Sequence, residues 1–334
     1  MKGNIFIRAD GDSSIGMGHI VRTSALAKVL LEKEYKVRYI SKLNETLKNF
    51  FTKNNFDYIN LSNNESNFIN SLLEKKDIIL FDLFAANESY MAAIRKDVFK
   101  FLFDNLEDID IPADLILHGS IYGGDYSNKA KKLGIDFIGG PEYVIMRDEF
   151  RRQEKRYINR DVKNILITMG GADPLHMTNK IIKDILMSGY NIVAVEGSAF
   201  SEKISRNFPN SVQIKNNPPS MSELMRNCDI CISAGGTSTY ELAATGTPTI
   251  VYRQADNQIL QCQRFNSLGT LVDLGDGKKY NPVKLLDTIN ELSNDYEKRK
   301  QMSEVGQKLI DGKGVYRVVD AIEEYYSKWK DGLK

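Results

Sequence analysis

The sequence predicts an α/β protein of two doubly wound domains, each a parallel sheet covered by helices on both faces. Three observations predict it. The chain has 334 residues, more than one ordinary α/β core needs and enough for two. Short apolar runs alternate with helical patterns, and runs such as Asp77-Ile78-Ile79-Leu80-Phe81 are apolar on both faces, as strands inside a parallel sheet must be. The alternation breaks once, in a charge-rich stretch around Met146 to Asp161, and then resumes.

In order, strands are expected at 4–9, 36–41, 58–61, 77–81, 100–103, 114–117 and 136–138, with helices at 19–34, 45–53 and 66–75. The second series has strands at 164–168, 191–195, 212–215, 229–233 and 248–252, with helices at 173–188, 220–226 and 237–245. Three helical stretches fill 256–329, the last of them packing back toward the first domain. The expected domains are 1–150 and 162–334, joined by a linker at 151–161. Two such domains facing each other put the carboxyl ends of both sheets at a central cleft, where ligands of such sheets bind.

Composition narrows the function classes. Hydrophobic residues make up 42% and charged residues 27%, the balance of a water-soluble globular chain. Net charge is +1 with no strongly basic block, which argues against nucleic acid as the partner. The chain opens directly into a strand, and no run of about 18 apolar residues occurs, so no membrane insertion and a cytoplasmic location are expected. Cys228 and Cys231 are spaced C-x-x-C but straddle a helix end and a strand, the wrong setting for a redox or zinc pair. No metal and no cofactor is expected. The D-x-D in Glu107-Asp108-Ile109-Asp110 precedes Pro112 and reads as a solvated turn.

Three strand-to-helix turns carry the candidate chemistry. In Asp10-Gly11-Asp12-Ser13-Ser14-Ile15-Gly16-Met17-Gly18-His19, a glycine-rich loop delivers His19 to a helix start, where it can move a proton to or from water. Arg22 follows one turn later on the same face, suited to support His19 or to touch a phosphate. Val21 occupies the third glycine position of a dinucleotide fingerprint, which disfavours NAD. The second turn, Thr168-Met169-Gly170-Gly171-Ala172-Asp173-Pro174, places Asp173 as N-cap and Pro174 at the first helical position. The third runs Ser233-Ala234-Gly235-Gly236-Thr237-Ser238-Thr239-Tyr240-Glu241. A glycine pair there opens a helix rich in hydroxyls, a diphosphate cradle, with Glu241 one turn in to take ribose hydroxyls. Asn257 and Gln258, in Ala255-Asp256-Asn257-Gln258, are candidates for the phosphate or sugar.

Taken together with Gly140-Pro141-Glu142-Tyr143 and Met146-Arg147-Asp148-Glu149-Phe150, this ordered series resembles the UDP-2,4-diacetamido-2,4,6-trideoxy-β-L-altropyranose hydrolases of pseudaminic acid biosynthesis and their spore-coat-polysaccharide relatives. Those are similar to MurG-type glycosyltransferases of fold type GT-B. The resemblance covers nearly the whole chain. It implies a GT-B fold and metal-independent hydrolysis of a glycosyl–UDP bond with inversion at C1. It also implies His19 as the base that positions water and Glu241 as the ribose ligand. The substrate loop would comprise Asp10, Gly11, Gly16, Gly18 and Arg22. UDP would sit on Gly170, Gly171, Gly235, Gly236, Thr237 and Ser238, with Asn257 and Gln258 near the sugar and phosphate. The expected partner is a UDP-sugar, and the expected state a monomer or weak dimer. A glycosyltransferase using the same donor is the alternative. A UDP-sugar 2-epimerase lacks a second acid/base pair here, and a non-catalytic binding module would not need the intact G-x-G-H loop.

Overall fold

The computed structural model describes residues 3–12, 16–84, 86–103 and 110–332. Ser13, Ser14 and Ile15 of the glycine-rich loop, and Asp108 of the D-x-D stretch, lie outside the described residues. The chain forms two compact units, Met1–Arg147 with Lys313–Lys334, and Asp148–Gly312.

The first unit runs β1 (Asn4–Ala9), α1 (Gly18–Glu32), β2 (Lys36–Ser41), α2 (Glu45–Lys53), β3 (Asp57–Asn60), α3 (Glu65–Leu72), β4 (Ile78–Asp82), α4 (Glu88–Ala92), β5 (Phe99–Phe103), β6 (Leu115–His118), α5 (Ser127–Leu133) and β7 (Phe137–Gly139). Its parallel sheet has the order β3-β2-β1-β4-β5-β6-β7. Strands β4, β5 and β6 are buried on both faces, which is why they are mostly apolar, with Asp82, Lys100 and His118 the exceptions. Helix starts follow local capping chemistry. The Asn44 side chain, for example, accepts the Leu47 N–H at 2.9 Å to open α2.

The second unit runs β8 (Asn164–Thr168), α6 (Met177–Ile185), β9 (Asn191–Glu196), β10 (Val212–Asn216), α7 (Met221–Asn227), β11 (Ile230–Ala234), α8 (Ser238–Ala244), β12 (Thr249–Arg253), α9 (Ile259–Ser267), β13 (Leu271–Asp276), α10 (Pro282–Asn294) and α11 (Tyr296–Leu309). Its sheet, also parallel, has the order β10-β9-β8-β11-β12-β13. In each sheet the order reverses direction beside the first strand, between β1 and β4 and between β8 and β11. A crevice opens at the carboxyl ends of the strands at such a reversal. The three glycine-rich turns of interest, after β1, β8 and β11, leave from these points.

The last helix, α12 (Gly314–Lys330), belongs to the first unit. Val315, Val318, Val319 and Ile322 are fully buried in the same core as Leu26 and Leu30 of α1. Each such side chain contributes about 1.5–3 kcal/mol on leaving water. Lys33 reaches Asp320 and Glu323 at 2.7 and 2.6 Å, and the Trp329 ring meets Phe99 edge-on at 5.9 Å.

Several boundaries differ from the sequence expectations. The second unit spans 148–312 and not 162–334, because the apolar face of α12 is spent on the first core. The expected linker at 151–161 is packed into the second unit. Its Arg156 is buried, and the guanidinium donates to the Met225 carbonyl at 2.8 Å and Thr247 Oγ1 at 3.0 Å, as well as to the Cys228 carbonyl. Charge density therefore did not mean solvent there. The region 256–329 holds α9, α10, α11 and α12 together with β13, a strand masked by Asp273, Gly275 and Asp276 in its sequence. Helix α6 begins at Met177, not at Asp173. Asp173 caps it from a distance, its carboxylate accepting from the Met177 and Thr178 N–H groups at 2.9 and 2.8 Å, so Pro174 lies in the preceding turn.

Cys228, Cys231 and Cys262 are free and buried. Burial pushes the Cys228 thiol up to about 11, the opposite of a redox thiol. Among the described residues no cluster of His, Cys, Asp and Glu is disposed to hold a metal ion, and no helix is long and apolar enough to cross a membrane.

Candidate functional site

Strand β1 ends at Ala9, which pairs in register with Asp82, the last residue of β4. The β1–α1 turn therefore returns directly over the Asp82 side chain. Gly11 lets that turn close on α1, since a Cβ there would lie 2.9 Å from Ile20 Cγ1 and 3.0 Å from Met17 Sδ. His19, in the first turn of α1, is buried, and its Nδ1 lies 2.6 Å from Asp82 Oδ1. The ionised carboxylate can only accept, so Nδ1 carries a proton, and in the neutral imidazole Nε2 keeps its lone pair. Nε2 has no hydrogen-bond partner among the described residues. Phe84 packs edge-on against the imidazole, with ring centroids 4.6 Å apart.

Asp82 is fully buried and also receives Arg22, Nε to Oδ2 at 2.9 Å and Nη2 to Oδ1 at 2.5 Å. Burial pushes the Asp82 carboxyl up, but the Arg22 charge and the hydrogen bonds from His19 and Arg22 outweigh it and hold it below the usual carboxylate range. A charged Asp82 at neutral pH fixes both the tautomer and the ring orientation of His19. These donors of Arg22 thus go to Asp82, and its role as a phosphate ligand stands as an expectation only.

Beside His19 lies a recess of about 340 Å³, bordered by Asp10, Gly11, Lys42, Glu65, Phe84 and Tyr90 among others. Asp10 is engaged internally: its carboxylate binds the buried Arg8 at 2.7 and 2.8 Å and the Lys42 N–H at 2.7 Å. Gly16, with φ +76°, shapes the loop without lining the recess, as does Gly18.

In the second unit, a recess of about 360 Å³ opens between the turns that follow β8 and β11. Gly170, Gly171, Gly236, Thr237, Ser238 and Gln258 line it. Gly170 has φ +77°, a conformation that favours glycine. Gly235 lies beneath, pinned from two sides: Gln258 Oε1 accepts its N–H at 3.1 Å, and Gln261 Nε2 donates to its carbonyl at 2.8 Å and to that of Gly236 at 2.9 Å. The result is a preset turn that presents small residues, backbone amides and hydroxyls to one volume, which suits an anionic ligand. Residues 164–315 match the glycosyltransferase family 28 C-terminal domain.

Similarity to a curated protein extends over nearly the full length. The chain is 27% identical over 340 residues to the spore coat polysaccharide biosynthesis protein SpsG of Bacillus subtilis, covering 97% of this chain and 99% of that protein. A 116-residue stretch is 34% identical to the Helicobacter pylori pseudaminic acid cytidylyltransferase and UDP-2,4-diacetamido-2,4,6-trideoxy-beta-L-altropyranose hydrolase, covering 34% of this chain and 21% of that one. Among solved structures, Acinetobacter baumannii MurG superimposes with a TM-score of 0.66 at 13% identity, over 96% of this chain and 99% of that chain. The fold is GT-B.

Of the residues singled out in the sequence, Glu241 is half-buried in the first turn of α8 and Asn257 is exposed; neither lines the glycine-turn recess. The sequence reading missed Asp82, Arg8, Glu65 and Tyr90 in the first unit and Gln254 in the second. Gln254 lines the recess and donates to Asp173 Oδ1 at 3.2 Å.

Proposed function

We propose that the protein binds a UDP-linked sugar and hydrolyses its glycosyl–UDP bond with inversion at C1. The observation that carries this reading is the His19–Asp82 pair, with an oriented imidazole whose Nε2 is left for a reacting group. Water hydrogen-bonded to Nε2 attacks C1 as its proton passes to Nε2. The C1–oxygen bond breaks, and its electron pair leaves with the β-phosphate of UDP. The new positive charge on the imidazole rests against Asp82 until the proton returns to solvent. Within the second unit, Gly170, Gly171, Gly236, Thr237 and Ser238 are the proposed holders of the UDP diphosphate, where backbone amides and hydroxyls offset its charge. Glu241 takes the ribose hydroxyls.

The proposed sugar is a 2,4-diacetamido-2,4,6-trideoxy hexose on a route to a nonulosonic acid. It is supported by the ordered loop series and by what the Helicobacter relative is named for. A transferase is the second reading, favoured by the family 28 match. In that case His19 deprotonates an acceptor hydroxyl. Incubation with a panel of UDP-sugars and no acceptor separates the two: hydrolysis yields UDP and a free reducing sugar, whereas a transferase leaves the donor intact until a sugar or lipid acceptor is added.

The nucleotide part has its own test. Replacing Glu241 with Ala is expected to weaken UDP binding by about 1–3 kcal/mol, the cost of losing a charged hydrogen bond. Calorimetry with unchanged affinity removes Glu241 from the site.

A further inference from the structure

The recess beside His19 has a chemistry of its own. Arg8 is buried inside β1, an expensive place for a guanidinium unless carboxylates meet it. Two do: Asp10 takes Nη1 and Nη2, and Glu65, at the start of α3, takes Nε at 2.8 Å. Tyr90 of α4 donates its hydroxyl to the same Glu65 oxygen, Oε1, at 2.5 Å. That oxygen is saturated. Among the described residues, Glu65 Oε2 meets only the largely exposed Lys42 ammonium, at 3.8 Å. Arg8 and Tyr90 thus fix a carboxylate whose second oxygen has little to do inside the protein.

Charge in the recess follows from the same groups. Among the described residues that line the recess, Asp10, Asp12 and Glu65 outnumber Arg8 and Lys42 by one formal charge. Asp82 adds nothing to this balance, being matched by Arg22. His19 is 7% exposed and lines the same volume. A phosphate is poorly suited to such walls; a neutral group rich in hydrogen-bond donors is well suited.

Resting on the hydrolytic reading above, we propose that this recess is the glycosyl subsite and that Glu65 Oε2 is its specificity-determining group. It accepts a hydrogen bond from a hydroxyl or acetamido N–H of the sugar and turns away glycosyl groups that carry a carboxylate. Phe84, 54% exposed on the recess wall, supplies an apolar surface for the C–H face of the ring. Lys42, at the rim, works against the exclusion by partly screening Glu65.

The test is calorimetry with UDP, UDP-N-acetylglucosamine and UDP-glucuronate on the full chain. In the wild type the uronate is expected to bind roughly tenfold or more weakly than the neutral sugar nucleotide, as like charges meet in a shielded recess. Glu65→Gln should bring the two within a few-fold while the affinity for UDP itself is unchanged, and a thermal melt checks that the first unit, where Glu65 also meets Arg8, remains folded. Lys42→Met, a change at an exposed side chain, should widen the gap. Equal binding of the two sugar nucleotides by the wild type overturns the proposal, as does a gap that Glu65→Gln leaves intact. If UDP itself does not bind the wild type, it is the nucleotide reading that fails.

Discussion

His19→Asn lowers turnover by about 10²–10⁴-fold and leaves the affinity for UDP where it was, the usual reach of a general base. The separation follows from the architecture. His19 belongs to the first unit, whereas the turns proposed for the nucleotide belong to the second. Asp82→Asn should approach the same loss without touching the imidazole. The amide can donate to Nδ1, moving the ring proton to Nε2 and placing a donor where an acceptor is needed. It also strips a buried pair from Arg22, so its melting temperature should fall as well, whereas that of His19→Asn should change less. Steady-state kinetics beside thermal melts distinguishes the two effects. Wild-type turnover in His19→Asn would make the histidine a structural residue.

Gly235→Ala should weaken UDP binding by about 10–100-fold. A Cβ at this position overlaps the buried Cys262 Sγ and sits 3.1 Å from Gln258 Oε1. Neither neighbour yields easily. Cys262 is fully buried in α9, and Gln258 is held by the N–H groups of both Gly235 and Gln254. The turn must therefore move, and a turn displaced by a fraction of an ångström no longer aims its amides at one point. Adding Cys262→Ala removes the overlapping sulfur and should recover most of the affinity. Calorimetry on the single and double variants decides it. Failure of the second change to rescue the first would mean that the loss does not arise from this contact.

The fold was readable because its signal is local. Buried strands such as Ile78–Asp82 are apolar up to their last residue, and the glycine turns stand between a strand and a helix in the sequence itself. The position of His19 at a helix start was legible for the same reason. Asp82 was not: it is 63 residues away, one polar residue at the end of an apolar strand, and only the β1–β4 pairing brings it under the histidine. Arg8 and Glu65 are 57 residues apart, and an arginine inside a strand gives no sign of the carboxylates that hold it. The placement of α12 was the kind of fact periodicity half reveals. An amphipathic helix must bury a face, but which core receives it depends on a tertiary match. The reverse error came from charge. Arg156 lies in the charge-rich stretch expected to be a linker, and it is buried because carbonyls of the second unit surround it.

Oxygen labelling tests the central claim most directly. Acceptor-free cleavage of the UDP-sugar is run in ¹⁸O-enriched water, and both products are weighed by mass spectrometry. Attack of His19-held water on C1 places the label in the free sugar and leaves UDP unlabelled. Label in a phosphate product would mean that a P–O bond is broken instead, and the account of His19 acting at the anomeric carbon would be contradicted.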